Sequence, residues 1–423
     1  MKAEANKKAN ERLEIGVLYG FRALMVLFVV NYHLWQQGWL PQRFALFDMN
    51  INLDFFTRSS YLFVDGMMLL SGFLLFLPYA RQKRENIQIP SVRRFYLNRL
   101  VRIVPSYLLC ILVILFCFVL PQSRQYSAQS LGFDLITHFT FTFTFFHQTY
   151  LNTLLNTALW TVAIELQFYL IFPWIARAAQ KKPAITLLLM AAAGWIYRGI
   201  VYYAVPDTSI FINQMPAFLD VYALGMLGAM IYCFIREQLQ EIDRKQCRLY
   251  HVISLLLFAA SIIVVLMLLK AQSTASMDGH EELRLSQLRM RLPLALTLLV
   301  SMLSAAYMPR ALQWLLSNRL MRFLAGISFN LYVWHQFLAV EIAKGWFPNT
   351  LHYDFNLQLA YTVLCFSLSL VVAMAATYGV EKPMAKFINN MITKYGGRNK
   401  HERSSSGQIE PPAHSVLLQS EKG

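Results

Sequence analysis

Tyr19–Trp35 reads YGFRALMVLFVVNYHLW, an apolar run with one ionisable residue near each end, Arg22 and His33. Eleven residues separate them in number. That is about three helical turns, so on an α-helix the two side chains share a face and stand about 16 Å apart along the axis. Ionisable groups in a membrane helix are costly and mark pathways or sites. An arginine that snorkels and a histidine that reaches the far headgroups would also produce this pattern. The rest of the chain has to decide between the two.

The chain has 423 residues, 57% of them hydrophobic and 14% charged. Apolar runs of spanning length recur along it, at about 17–36, 61–80, 103–120, 157–176, 184–204, 217–235, 250–270, 292–308, 325–341 and 357–380. The fold expected is all-α: a polytopic membrane bundle of about ten helices in the lipid bilayer of the cell membrane. A net charge of +15 suggests nucleic acid until its distribution is examined. With the N-terminus inside, the inner connections hold 28 Lys and Arg and the outer ones 8. This asymmetry orients the protein with both termini cytoplasmic and removes the reason to expect a nucleic-acid partner. Residues 1–16 form a basic cytoplasmic segment, and no small-residue cleavage pattern follows the first apolar run, so it reads as a retained helix. Cys110, Cys117, Cys233, Cys247 and Cys365 lack CxxC spacing, and neither a metal nor a redox role is expected of them.

Leu131–Gln148, LGFDLITHFTFTFTFFHQ, is apolar enough to weigh as an eleventh span. Counting it would place every later basic loop outside, so it is expected to be re-entrant or interfacial on the outer side. Its Phe/Thr alternation is strand-like, but a lone strand cannot satisfy its backbone in lipid. The transmembrane domain is expected over residues 17–385. A polar tail over 386–423, rich in Ser, Gln, Glu and Pro toward its end, is expected to be disordered.

This topology gives each ionisable residue a depth. His33, Asp65, Glu165, Arg198, Asp220 and His335 come from six different spans and fall toward one half of the bilayer, which points to a shared polar cavity. On the opposite side, SVRRFYLNRLVRIVPSY (Ser91–Tyr107) carries Arg93, Arg94, Arg99 and Arg102 just before the third expected span. Arg99 and Arg102 are three apart and share a helix face. They suit either lipid phosphates or the phosphates of a ligand, held by bidentate arginine bonds. Arg22 lies near the same side.

These stretches, in this order, resemble the acyltransferase 3 family of integral membrane acyltransferases. Arg22 and His33 match its Arg–ten residues–His signature. VDGMMLLSGF (Val64–Phe73) is similar to its second-span motif, with Asp65, and RRFYLNRLVRIVPSY to its basic segment. LWTVAIELQFYLIFP (Leu159–Pro173) resembles its Trp-Ser-x-x-x-Glu-x-x-Phe-Tyr segment, with Thr161 where Ser is common. NLYVWH (Asn330–His335) and VEKP (Val380–Pro383) resemble its last two landmarks. The resemblance covers about residues 15–385. Some family members carry a C-terminal extracytoplasmic hydrolase-like domain, which this chain is expected to lack.

The resemblance implies acyl transfer, of groups other than amino-acyl groups, to a hydroxyl of a carbohydrate, cell-envelope glycan or small molecule. The implied donor is a cytoplasmic acyl-CoA, commonly acetyl-CoA, and no metal is implied. Arg99 and Arg102 would hold CoA phosphates and Arg22 would position the donor. His33 would be the general base or, on a covalent route, the acyl carrier. Asp65 or Glu165 would orient it, with His335 as a second candidate. The competing class is a transporter or flippase with a polar cluster near the midplane. Against it, the halves of the chain do not resemble one another.

Overall fold

The computed structural model describes residues 2–46, 49–85, 88–89, 91–121, 127–241 and 243–396. Ten helical stretches among them are long and apolar enough to cross a membrane. Spans 1 to 5 are Gly16–Gly38, Asp54–Gln82, Val92–Val119, Thr157–Lys181 and Pro183–Ala204. Spans 6 to 10 are Met215–Leu239, Lys245–Ala275, His280–Tyr307, Arg310–Trp346 and Phe355–Met391. Each overlaps one of the ten runs read from the sequence. Ten crossings return the chain to the side where it started, so both ends of the bundle lie on one face.

Local chemistry sets where several spans start. Ser91 caps the helix of span 3 by accepting from the Arg94 amide at 3.3 Å. Asp243 and Gln246 form a capping box ahead of span 7. Asn318 caps the helix Arg319–Trp346, and Asp354 caps the helix Phe355–Ala376. Each cap satisfies an amide that a helix start leaves without a partner. The Ser91 cap changes one expectation. The basic segment does not precede span 3 but forms its first three turns, so Arg99 and Arg102 ride on the membrane helix itself.

Span 1 packs against spans 2, 8, 9 and 10. Of the hydrophobic windows, span 2 is 72% buried, whereas those of spans 5, 7 and 10 are 22%, 17% and 28% buried. The last three therefore face lipid, and the site-bearing helices sit inside. Spans 2 and 6 approach closely at two glycines. A Cβ on Gly225 would stand 2.1 Å from the Leu69 carbonyl oxygen, and one on Gly72 would stand 2.5 Å from that of Tyr222. Only glycine permits that separation.

The connection between spans 1 and 2 holds a short antiparallel hairpin, β1 (Arg43–Leu46) and β2 (Met49–Asn52). Asp54 ties it down, accepting from the Gln42 amide at 2.7 Å and from Arg43 Nε at 3.0 Å. The Leu131–Gln148 segment does not cross. Its helix, Ala128–Phe139, has 12 residues. That gives about 18 Å against a hydrocarbon core of about 30 Å. The Phe/Thr run is not a strand: it turns at Phe141, with φ at 56°, into short helical turns. The buried Asp134 carboxylate holds the loop by accepting from Thr153 and from the Leu154 amide.

After span 10 the chain continues as the helix Lys382–Gly396, past residue 386 where the sequence predicts the tail to begin. Lys382 and Lys386 alternate there with exposed Met384, Phe387 and Met391, a pattern suited to a membrane interface. The remainder of the predicted tail lies outside the described residues.

Candidate active site

Arg22 lies near the start of span 1, Arg99 and Arg102 near the start of span 3. With Ser71 of span 2, Glu165 and Tyr169 of span 4, and Ser328 and Tyr332 of span 9 they line a cavity of about 70 Å³. Helical spacing puts each group on its wall: Arg99 and Arg102 are three apart, Glu165 and Tyr169 four, Ser328 and Tyr332 four. Glu165 accepts a hydrogen bond from Ser71 Oγ at 2.8 Å and another from the Tyr169 hydroxyl. Arg99 lies over the rings of Phe95 and Tyr169, at 5.6 and 5.5 Å.

The three arginines are half-buried. Among the described residues none of them has a hydrogen bond or an ion pair, and Arg99 Nε is buried without a partner. Two carboxylates act on them from a distance: Glu165 on Arg22 and Arg99, and Glu381 on Arg22 and Arg102. Glu381 closes a π-helical turn, Thr377–Glu381, and accepts from Asn330 Nδ2 at 2.6 Å. Three guanidiniums against two carboxylates leave the wall positive, and the guanidinium donors are open to an anion.

Farther along spans 1 and 9, at what is here called the histidine end, the rings of His33 and His335 lie 5.1 Å apart, tilted by 53°. His335 Nδ1 is 2.6 Å from the Tyr332 carbonyl oxygen. A carbonyl only accepts, so Nδ1 carries the proton and Nε2 of the neutral ring keeps its lone pair. That Nε2 is buried and has no partner. His33 Nδ1 is 3.2 Å from Gln36 Oε1. With the amide so oriented, His33 also donates from Nδ1 and leaves Nε2 free. Tyr332 connects the two regions: it lines the arginine cavity and its ring lies 5.3 Å from that of His335.

The ionisable residues do not share a single cavity. Asp65, expected as a possible orienter of His33, receives Arg291 Nε at 3.3 Å on both oxygens. Arg291 is fully buried, donates to the Ile212 carbonyl and to Asn213, and stands 3.9 Å over the Phe218 ring. Arg198 and Asp220 form a second buried pair, bonded at 2.7 and 2.5 Å. Glu165, the other expected orienter, belongs to the arginine wall. The acceptor beside His33 is Gln36. The grouping by depth failed because depth says nothing about rotation around a helix axis, and because Arg291 counts as an outer-loop charge when span 8 begins at residue 292. Its helix begins at His280.

Among the residues of these clusters, Gln36, Arg291 and Ser328 do not stand out in the sequence, and Tyr169, Tyr332 and Glu381 stand there only as members of quoted motifs. Gln36 and Tyr169 have a signal, since each lies one helical turn beyond a candidate, His33 and Glu165. Glu381 reads in the sequence as the end of the last span and as part of the VEKP landmark.

No curated protein and no solved structure matches the chain. A family model does: acyltransferase 3, described as an acyltransferase domain, matches residues 17–378. With ten spanning helices behind it, that match makes this a multi-pass membrane protein with an acyltransferase domain. The chain belongs to the acyltransferase 3 family.

Proposed function

We propose that the protein moves an acyl group, acetyl in the simplest case, from acyl-CoA to a hydroxyl of a carbohydrate or cell-envelope glycan. One observation carries this reading. Three half-buried arginines that, among the described residues, have no hydrogen-bonded or ion-paired partner line a cavity that also includes Tyr332, whose ring lies beside that of His335. CoA has that shape: phosphates at one end and a thioester at the end of a long flexible arm. Arg99 and Arg102 bind the phosphates, Arg22 positions the arm, and the arm runs along span 1 toward His33. The cavity has room for about two waters, so the arm enters by displacing side chains. Met67 and Met68 in its wall are suited to that.

His33 Nε2 takes the proton of the acceptor hydroxyl as the oxygen attacks the thioester carbonyl. The C–S bond breaks, the ester C–O bond forms, and the proton passes from His33 to the departing CoA thiolate. Gln36 holds the imidazole with Nε2 toward the reaction. His335 presents a second unprotonated Nε2 beside it, and a covalent route through an acyl-histidine uses the same pair. The excess of Lys and Arg on the connections at the arginine end supports a cytoplasmic location for it, where acyl-CoA is found.

The test uses purified protein in lipid nanodiscs with radiolabelled acetyl-CoA and an envelope glycan extract. His33→Ala is expected to reduce transfer by about 10²- to 10⁴-fold. Arg99→Gln and Arg102→Gln are expected to raise the KM for the donor and spare kcat. Undiminished transfer by His33→Ala would move the base to His335. If wild type transfers nothing from any acyl-CoA, the donor assignment is wrong.

A further inference from the structure

Beyond His33, span 1 ends in an aromatic platform that the transfer chemistry does not use. Trp35 and Trp39 stand with ring centroids 5.4 Å apart, and the Trp39 ring lies 6.1 Å from that of His352. Trp39 is 50% exposed. It ends the helix with φ at 59°, a left-handed conformation that glycine normally takes and that is costly for a side chain of this bulk. Arg58 lies over Trp35 at 5.3 Å. Its Nε is buried without a hydrogen-bond partner, and among the described residues no carboxylate pairs with it. The nearby Asp54 is already occupied by Arg43 and the Gln42 amide. Trp39 is six residues past His33, about 9 Å along the helix axis, and Gln36 lies between them.

We propose that Arg58, Trp35 and Trp39 form the acceptor subsite and that the acceptor is an anionic carbohydrate. A pyranose stacks its C–H face on an indole, as Trp39 offers, and a carboxylate or phosphate on the sugar meets the Arg58 guanidinium. Trp35 and Trp39 lie on other faces of the helix than His33, so the acceptor is an oligosaccharide that reaches around the end of span 1 to bring a hydroxyl to His33. The inference rests on the acyl-transfer reading of His33. Interfacial anchoring accounts for it less well. An arginine that anchors to headgroups extends toward them, whereas Arg58 is folded onto Trp35 with its Nε buried.

The test measures equilibrium binding of radiolabelled saccharides to the full chain in nanodiscs, without donor. Tetragalacturonate and glucose 1-phosphate are the anionic probes and maltotetraose the neutral one. Tetragalacturonate is expected to bind at least tenfold more tightly than maltotetraose. Arg58→Gln is expected to weaken it by about 10- to 100-fold, Arg58→Lys to retain part of the binding, and Trp39→Leu to weaken both tetrasaccharides. An unchanged unfolding midpoint in Arg58→Gln excludes misfolding as the cause. Equal affinity for neutral and anionic tetrasaccharides, or binding insensitive to Arg58, overturns the proposal. So does failure of both anionic probes, and so does a loss of bound anionic lipid in Arg58→Gln without effect on saccharide. Acetyl-CoA turnover by wild type is measured separately. Saccharide binding without turnover of acetyl-CoA or any other acyl-CoA leaves a saccharide site standing and removes the acyl-CoA reading. Turnover without saccharide binding does the reverse.

Discussion

Arg291 and Asp65 meet across the bundle from positions 226 residues apart. Removing one member of a buried ion pair leaves an uncompensated charge and costs about 3–5 kcal/mol, whereas replacing both with apolar groups can be near neutral. Arg291→Met and Asp65→Leu are each expected to destabilise by that amount, and the double variant to recover most of it, as read by chemical unfolding in detergent. A double variant as unstable as the sum of the singles would show that Asp65 acts independently of Arg291. Gln36 belongs to the same scale. Gln36→Leu removes the acceptor opposite His33 Nδ1, and kcat is expected to fall about tenfold or more because the imidazole loses its orientation. Gln36→Glu keeps an acceptor and is expected to retain more activity. Steady-state kinetics with saturating donor distinguishes the two variants.

At the scale of the element, spans 2 and 6 are held together where side chains are missing. Gly225→Ala would set a Cβ 2.1 Å from the Leu69 carbonyl oxygen, so the helices must part. Overpacking of this kind costs about 1–3 kcal/mol. The loss is expected to reach activity too, since Ser71, next to Gly72, donates to Glu165 in the arginine wall. Gly199 and Gly326 provide the comparison. A Cβ at either meets nothing within 4 Å. Gly199→Ala and Gly326→Ala are expected to be neutral or to stabilise by up to about 1 kcal/mol through helix propensity. Thermal unfolding of the three variants checks the order. The elements themselves were legible because hydropathy and capping act locally. Ser91 shows the limit: it starts span 3 a full eleven residues before the hydropathy run at 103, and so carries the arginines into the helix.

For the whole molecule, the excess of Lys and Arg on alternate connections predicts a direction. In a background with the five native cysteines replaced, Met277→Cys is expected to react with an impermeant maleimide in intact cells. Lys182→Cys is expected to react only after the membrane is opened. Both positions are exposed, in connections at opposite ends of the bundle. The reverse pattern would invert the topology and with it the side of donor entry.

The sequence by itself determined how many helices cross, where they lie and which family they form. Those properties are carried by runs of apolar residues and by the order of motifs along one dimension. It also singled out His33, His335, Arg22, Arg99, Arg102 and Glu165 as polar groups needing an explanation inside a membrane. What each of them meets was decided only by the tertiary structure. Helix rotation and neighbour order turned Asp65 toward Arg291, set Glu381 near Arg22 and Arg102, and brought His33 beside His335. Partner choice of this kind depends on angles about helix axes and on which helices are adjacent, and a linear pattern of hydropathy and charge contains neither.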